Sequence, residues 1–533
     1  MQNGTILQYF HSYYPANGVL WNKISEDAVR LCKMGFTAIW LPPAYKGASG
    51  SNSVGYDVYD LYDLGEFDQK NSIMTKYGTH HEFLQAVKNV RKAGMHFYAD
   101  IVLNHKGGAD EKEQVIVKRV NPDNRNEMVG DEFTIEAYTR FTFSGRNNKY
   151  SDFIWNQECF SGVDYAADLD ESSIFKILNS YGDAWEEGVD SERGNFDYLM
   201  YADIEFRNNI VREELKKWGL WFWRLTNVSG FRLDAVKHID YHFYNDWLDT
   251  IRHETKEELF AVGEYWAPND LESMLNYIDN TGGRMSLFDA PLQENFHIAA
   301  SIGKDFDLRT IFDNTGGRMS LFDAPLQENF HIAASIGKDF DLRTIFDNTL
   351  LQTRPELAVT LVENHDTQPL QALESPVATW FKPLAYALIL LREAGYPCVF
   401  FPDLFGATYT GKDVEGNDRE IIIDLCPNLE NLIHLRKLYS YGLQVDYFKN
   451  ENLIGWIRKG SEEFKNSGCA VVLSSAEPGS IRMEIGRDFA GKKMSDALNN
   501  CQDGVVIDQD GYGDFSTLGG NVSVYITKES NEN

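Results

Sequence analysis

The stretch Gly230-Phe-Arg-Leu-Asp-Ala-Val-Lys-His238 decides how the rest of this chain is read. It opens as a short apolar strand and ends in a run of charge: Arg232, Asp234, Lys237 and His238. Arg232 and Asp234 are two residues apart, so on a strand they share a face. Seven other runs have the same strand character. Upstream lie TILQYF from Thr5, FTAIWLPP from Phe36 and HFYADIVLNH from His96; downstream lie LFAVGEYW from Leu259, MSLFDAPL from Met285, AVTLVENHD from Ala358 and PCVFFPD from Pro397. Between them run amphipathic segments such as WNKISEDAVRLCKMG and HHEFLQAVKNVRKAG, closed by the Met-Gly or Ala-Gly that stops a helix. Eight strands with helical crossovers predict an α/β fold, a (β/α)8 TIM barrel.

The alternation breaks twice. From about Lys106 to Asp203 the chain turns rich in Gly, Asn, Asp and aromatic residues, too long for a loop, and reads as a subdomain inserted after strand 3. After about Ser440 short alternating runs such as LIGWIRKG, CAVVLSS and NVSVYITK predict a C-terminal antiparallel β-sandwich. The expected division is barrel 1–105, inserted subdomain 106–205, barrel again 206–440, and sandwich 441–533.

One feature is abnormal. Asp279 to Phe312 recurs without a single change as Asp313 to Phe346. Two identical copies do not make a solenoid, whose repeats diverge under selection; this is a recent tandem duplication or an artefact. Each copy carries a candidate sixth strand, at Met285 or at Met319, and a barrel of eight has no place for a ninth. The copies are identical, so either could serve.

Fifty basic against 80 acidic residues leave a net charge of −30. That field repels phosphate backbones and anionic lipid, so neither nucleic acid nor membrane is an expected partner, while divalent cations are attracted. Six scattered cysteines without a CxxC pair read as reduced core thiols, and the N-terminus shows no basic-then-apolar leader. A cytoplasmic monomer is the expectation.

Catalytic groups of a parallel barrel lie at the C-terminal ends of its strands. Four of those ends carry carboxylates: Asp100-Ile-Val-Leu-Asn104-His105, Arg232-Leu-Asp234, Gly263-Glu264-Tyr265 and Glu363-Asn364-His365-Asp366. A single Asp at a strand end is commonly a cap or turn residue. Four on one rim are hard to explain by capping; a chemistry that needs one nucleophilic and one protonated carboxyl flanking a scissile bond, such as glycoside cleavage, can be served by adjacent strands 4 and 5.

At these residues, and at VGYDVYDLYDLGEF from Val54 and DYLMYADIEF from Asp197, the chain resembles the α-amylase family of retaining glycoside hydrolases, nearest its bacterial liquefying-type and cytoplasmic members. The resemblance implies endo-hydrolysis of α-1,4-glucosidic bonds in starch, glycogen or maltodextrins. It makes Asp234 the nucleophile, Glu264 the acid/base and Asp366 the holder of the 2- and 3-hydroxyls. Arg232 is suited to keep the nucleophile ionised. His105 and His365 become sugar hydroxyl donors, Tyr56 a stacking platform, and Lys237 and His238 leaving-group contacts. It also implies a structural calcium held by Asn104, Asp197, Asp203 and the backbone carbonyl of His238, with Asp164 and Glu186 supporting a neighbouring sodium or second calcium. Ser12 and Pro402 depart from the family pattern, where Trp and Gly are usual. The readings left open are a glucan transferase or α-glucosidase with the same triad, and an inactive glucan-binding or misfolded protein resulting from the duplication.

Overall fold

The computed structural model describes residues 3–302 and 340–527. All eight expected strands form, and they close into a parallel barrel in chain order: β1 (Ile6–Gln8), β2 (Ala38–Leu41), β3 (His96–Ile101), β4 (Gly230–Leu233), β5 (Phe260–Gly263), β6 (Ser286–Phe288), β7 (Ala358–Leu361) and β8 (Tyr396–Phe400). Strands β2, β4 and β7 are buried along their whole length, which explains why they read as apolar runs rather than as alternations. Crossover helices form at both quoted amphipathic segments, as α1 (Leu20–Met34) and α2 (His80–Lys92), and are followed by α3 (Asn209–Thr226) and α4 (Tyr241–Thr255). A capping box between Thr79 and Glu82 starts α2.

By internal packing the chain divides into two compact units, each taken by itself. One comprises Ile6–Phe288 with Leu357–Val359. It holds β1 to β6 and a six-stranded antiparallel sheet built from segments between His105 and Ile204. The apparent irregularity of this insertion is therefore sheet, disguised by register shifts in several of its strand pairs. The other comprises Met1–Thr5, Asp289–Glu356 and Thr360–Asn533. Its C-terminal part sets a six-stranded antiparallel sheet and the strand pair Gly479–Glu484 and Tyr512–Thr517 around a core including Ile457, Val472, Met483 and Phe515. Pro402 opens a short helical turn, Phe401–Phe405, where its fixed φ and missing N–H are tolerated.

The described residues draw on both copies of the duplicated block. The first copy supplies β6, in parallel register with β5 and β7, and the helix Ala290–Ile302. The second supplies the turn Leu342–Thr344, whose Leu342 and Ile345 are buried. The alternative sixth strand at Met319 lies outside the described residues. Joining the two used parts would take three residues, Gly-Lys-Asp, yet 37 stand there, residues 303–339. Excising any 34 consecutive residues within 279–346 produces the same polypeptide. Thermal melting and starch hydrolysis should show a variant at least as stable and as active as the parent; a loss in either would mean that the surplus copy is part of the working fold.

Candidate active site

The site is built where β3, β4 and β5 run side by side. Arg232 pairs in register with Asp100 on β3 and with Val262 on β5. The ladder continues past the strand ends, through Asp234 N–H to Ile101 C=O at 2.9 Å and Glu264 N–H to Leu233 C=O at 2.9 Å. Asp234 and Glu264 are thereby fixed by backbone hydrogen bonds at the rim. Gly263, just before Glu264, is closely packed: an added Cβ would stand 2.8 Å from Met285 Sδ and 3.1 Å from Leu287 Cδ2, so those side chains would have to shift. After Asp234 the chain turns sharply through Ala235, at φ 50° in the left-handed region. Such a residue stores about 1–3 kcal/mol of strain and marks functional sites. Here the turn directs the Ala235 N–H onto Glu264 Oε2 at 3.0 Å.

One buried guanidinium organises the carboxylates. Arg232 donates to Asp100 Oδ1 at 2.9 Å and to Asp234, and its Nη2 lies 3.1 Å from Glu264 Oε2. Asp100 is held on its other oxygen by Trp40 Nε1 at 3.0 Å and the Tyr56 hydroxyl at 2.8 Å. The guanidinium sits 5.3 Å from the Trp40 ring and 5.6 Å from the Tyr56 ring. Three carboxylates thus share one cation. Burial raises Asp234 well above the usual carboxylate range; Arg232 opposes the rise, while Glu264 and Asp100 add to it. Arg232 lowers Asp234, as expected of a cation that keeps a nucleophile ionised, and the same guanidinium also serves Asp100 and Glu264. Asp100 stands among the rim carboxylates of the sequence but carries no assigned role there, and Trp40 is absent from that reading. Their signal was a charged and an amphipathic side chain inside otherwise apolar strand runs.

The remaining expected residues fall into place unevenly. Tyr56 is half-buried, with its hydroxyl committed to Asp100. His105 is buried with Nε2 2.7 Å from the Tyr56 carbonyl, and burial lowers its pKa to about 4. A neutral ring there gives its Nε2 proton to the Tyr56 carbonyl, tying His105 to the segment that carries Tyr56. Lys237 Nζ contacts Glu192 at 2.8 Å and the Trp266 carbonyl at 3.2 Å. His238 is buried against the Phe196 ring, its Nδ1 2.7 Å from the Phe196 carbonyl, and burial takes its pKa down to about 3. In the second unit, Asn364 Oδ1 accepts the N–H groups of Asp366 at 2.8 Å and Thr367 at 2.9 Å, shaping the turn after β7. His365 Nε2 lies 3.3 Å from Asp366 Oδ2.

Among the described residues no group of three or more His, Cys, Asp and Glu side chains forms a ready metal site. Several of the expected oxygen ligands are nevertheless drawn together. Asn104 Nδ2 donates to Asp203 Oδ1 at 3.0 Å, and Glu186 N–H to Asp197 Oδ2 at 3.3 Å. Burial raises Asp197 to about 7 and pushes Glu186 and Asp203 well above the carboxylate range, with their mutual repulsion adding to it for Glu186 and Asp203. Asn104 Oδ1, Asp197 Oδ1 and Glu186 Oε2 are buried without a hydrogen-bond partner. Asp164 is only half-buried and accepts the Tyr201 N–H at 2.9 Å.

Comparison with known proteins agrees with this architecture. Residues 21–420 match the family model "Alpha amylase, catalytic domain", and residues 471–526 match "Alpha-amylase C-terminal". The chain is 45% identical to the cytoplasmic α-amylase of Escherichia coli K12, over 99% of this chain and all of that one. It is 44% identical to an α-amylase of Geobacillus stearothermophilus, over 99% of this chain and 88% of that one. Among solved structures it resembles an α-amylase of Geobacillus thermoleovorans, with a TM-score of 0.59 and 18% identity over 99% of both chains, a likeness of fold alone. No helix among the described residues is long and apolar enough to cross a membrane. The barrel, its rim of carboxylates and these relatives together place the chain in the α-amylase family of glycoside hydrolases.

Proposed function

We propose that this chain is an α-amylase cutting internal α-1,4-glucosidic bonds of starch, glycogen or maltodextrins, with Asp234 as nucleophile and Glu264 as acid/base. The observation that carries the assignment is the single Arg232 guanidinium touching both carboxylates at the barrel rim. Retaining hydrolases keep such a pair about 5–5.5 Å apart. Glu264 gives its proton to the glycosidic oxygen as Asp234 attacks the anomeric carbon. The departing chain leaves as an alcohol, and Glu264, now ionised, takes a proton from the water that releases the sugar with retained configuration. Asp100 holds Arg232 and Tyr56 in position; Asp366 binds the 2- and 3-hydroxyls of the reacting sugar and His365 supports it. Half-buried Tyr56 offers an aromatic surface to a glucose ring, and Lys237 and His238 border the leaving-group side. The proposed domains are 1–105 with 206–440, 106–205 and 441–533; the proposed setting is the cytoplasm, as for the Escherichia coli relative. On soluble starch, viscosity should collapse well before reducing ends approach completion. Longer or cyclic products would assign a transferase instead.

The buried, unpartnered oxygens of Asn104, Asp197 and Glu186 fit a hard cation with oxygen ligands, and calcium is the cation we propose. Asn104, Asp197, Asp203 and the His238 carbonyl would hold it, with Glu186 alongside. When bound it supplies a structural clamp. Because the ligands converge only in the native state, chelation should lower the melting temperature and activity together, and added calcium should restore both. An unchanged melting temperature after thorough chelation would count against the site.

A further inference from the structure

The carboxyl of Glu264 stands on a stretch of chain without a ladder of its own. β5 ends at Gly263, and the next regular element, the helix Leu271–Asn280, begins only at Leu271. The backbone of Glu264 is tied on the barrel side, its N–H to the Leu233 carbonyl at 2.9 Å and its carbonyl to the Val236 N–H at 3.1 Å. Beyond it the chain is held by side chains. The Tyr265 ring is buried against Tyr277, with centroids 5.1 Å apart, and its hydroxyl donates to Asp190 Oδ2. A buried phenol needs an acceptor, and a carboxylate makes the stronger kind of hydrogen bond.

Asp190 lies in the chain between β3 and β4, and it is itself fixed. Its N–H donates to the Lys237 carbonyl at 2.8 Å, its carbonyl accepts the Phe196 N–H at 2.9 Å, and its Oδ1 accepts the Glu192 N–H at 2.7 Å. Two residues earlier the Gly188 carbonyl accepts the Tyr241 N–H at 3.1 Å. Glycine suits that position, because φ there is 80° and a Cβ would stand 2.4 Å from Asp240 Oδ1. Asp190 therefore joins the turn that follows Asp234 to the residue that follows Glu264. Lys237 repeats the link, its Nζ reaching both Glu192 and the Trp266 carbonyl.

We infer that Asp190 is a positioning residue for the acid/base: through the Tyr265 hydroxyl it holds Glu264 where its proton reaches the glycosidic oxygen. The inference rests on the acid/base reading of Glu264 above. As the glycosidic bond breaks, its electron pair goes to the leaving oxygen and Glu264 supplies the proton, so the loss on freeing Tyr265 should follow how much that oxygen needs a proton. The test uses two aryl α-maltotriosides with aglycones of similar size: para-nitrophenyl, which departs as its anion, and para-methylphenyl, which needs the proton. Full-length protein is assayed for kcat/KM, which reports cleavage alone. Glu264→Gln should lose at least about 100-fold on the para-methylphenyl glycoside and far less on the other. Equal losses in that variant would overturn the acid/base reading itself. Asp190→Ala and Tyr265→Phe should each lose at least about tenfold on the para-methylphenyl glycoside and less than about threefold on the para-nitrophenyl one, since a small misplacement of a reacting group is costly. Asp190→Asn, whose side-chain oxygen still accepts the hydroxyl, should recover most of the rate. With Glu264→Gln showing its split, equal losses on both glycosides in Asp190→Ala would overturn the inference, because Asp190 would then only shape the aglycone's surroundings. No loss, or an Asp190→Asn no better than Asp190→Ala, would overturn it too. If Asp190→Ala does not fold, Tyr265→Phe, which keeps the ring against Tyr277, decides alone.

Discussion

Asp234→Asn and Glu264→Gln should each leave less than about a hundredth of the wild-type kcat on starch while the melting temperature holds or rises. The activity loss follows from the chemistry: an amide at 234 cannot form the glycosyl ester, and an amide at 264 cannot give up a proton. General acid–base help alone is worth about 10²–10⁴ in rate. The stability expectation follows from the crowding around Arg232, which touches Asp100, Asp234 and Glu264 together. Replacing one buried carboxylate by its neutral isostere relieves repulsion from the other two without opening a cavity. Steady-state kinetics and a melting curve on the same preparations check both halves. More than a hundredth of kcat in Asp234→Asn would remove the nucleophile assignment. Azide rescue of Glu264→Ala with a β-glucosyl azide product would identify the acid/base directly.

Lys382→Met should destabilise the protein by about 3–5 kcal/mol, the usual loss when one partner of a buried ion network is removed. Lys382 lies at the start of the helix Lys382–Leu390 and is almost fully buried, 3.0 Å from Glu363 Oε2 and 2.5 Å from Asp403 Oδ1. Asp403 also accepts the Tyr386 hydroxyl at 2.5 Å, and Glu363 Oε1 accepts the Val377 N–H at 2.7 Å. Burial already pushes Glu363 up to about 7; Lys382 opposes the rise and Asp403 adds to it. A carboxyl whose folded pKa lies above its unfolded value keeps a proton that the unfolded chain releases, so its stability contribution is lost as pH climbs from about 4.5 through 7. Without Lys382 that penalty grows. The deficit measured by urea unfolding should therefore be larger at pH 8 than at pH 5, and Glu363→Gln should flatten the pH dependence. An equal deficit at both pH values would mean that Lys382 acts by packing rather than by charge. Glu363 immediately precedes Asn364-His365-Asp366, so this network also anchors the turn that presents Asp366.

Much of this was legible in the order of residues, and the reason is local. A barrel strand buried on both faces must be a short apolar run, so the eight strands announced themselves at Ile6, Ala38, His96, Gly230, Phe260, Ser286, Ala358 and Tyr396. A carboxylate directly after such a run has one place to go, the barrel rim, and Asp234 and Glu264 were found there from sequence. The helix caps were equally local, as at Thr79 and Glu82. Other features depended on partners distant in the chain. The sheet hidden in the insertion needed pairings such as Asp203 with Gly162 and with His105, which no local pattern reveals. Two identical copies of one segment carry identical propensities, and only the packing of Ser286–Phe288 between β5 and β7 shows which of them serves as the strand. The charge states are the clearest case. Arg232 beside Asp234 in sequence suggested a simple pair, but burial and two further carboxylates, 132 residues upstream at Asp100 and 32 downstream at Glu264, turned it into a shared network. Strand identity and catalytic chemistry are written in neighbouring residues; protonation depends on the low-dielectric company that those residues keep, which the tertiary structure alone assembles.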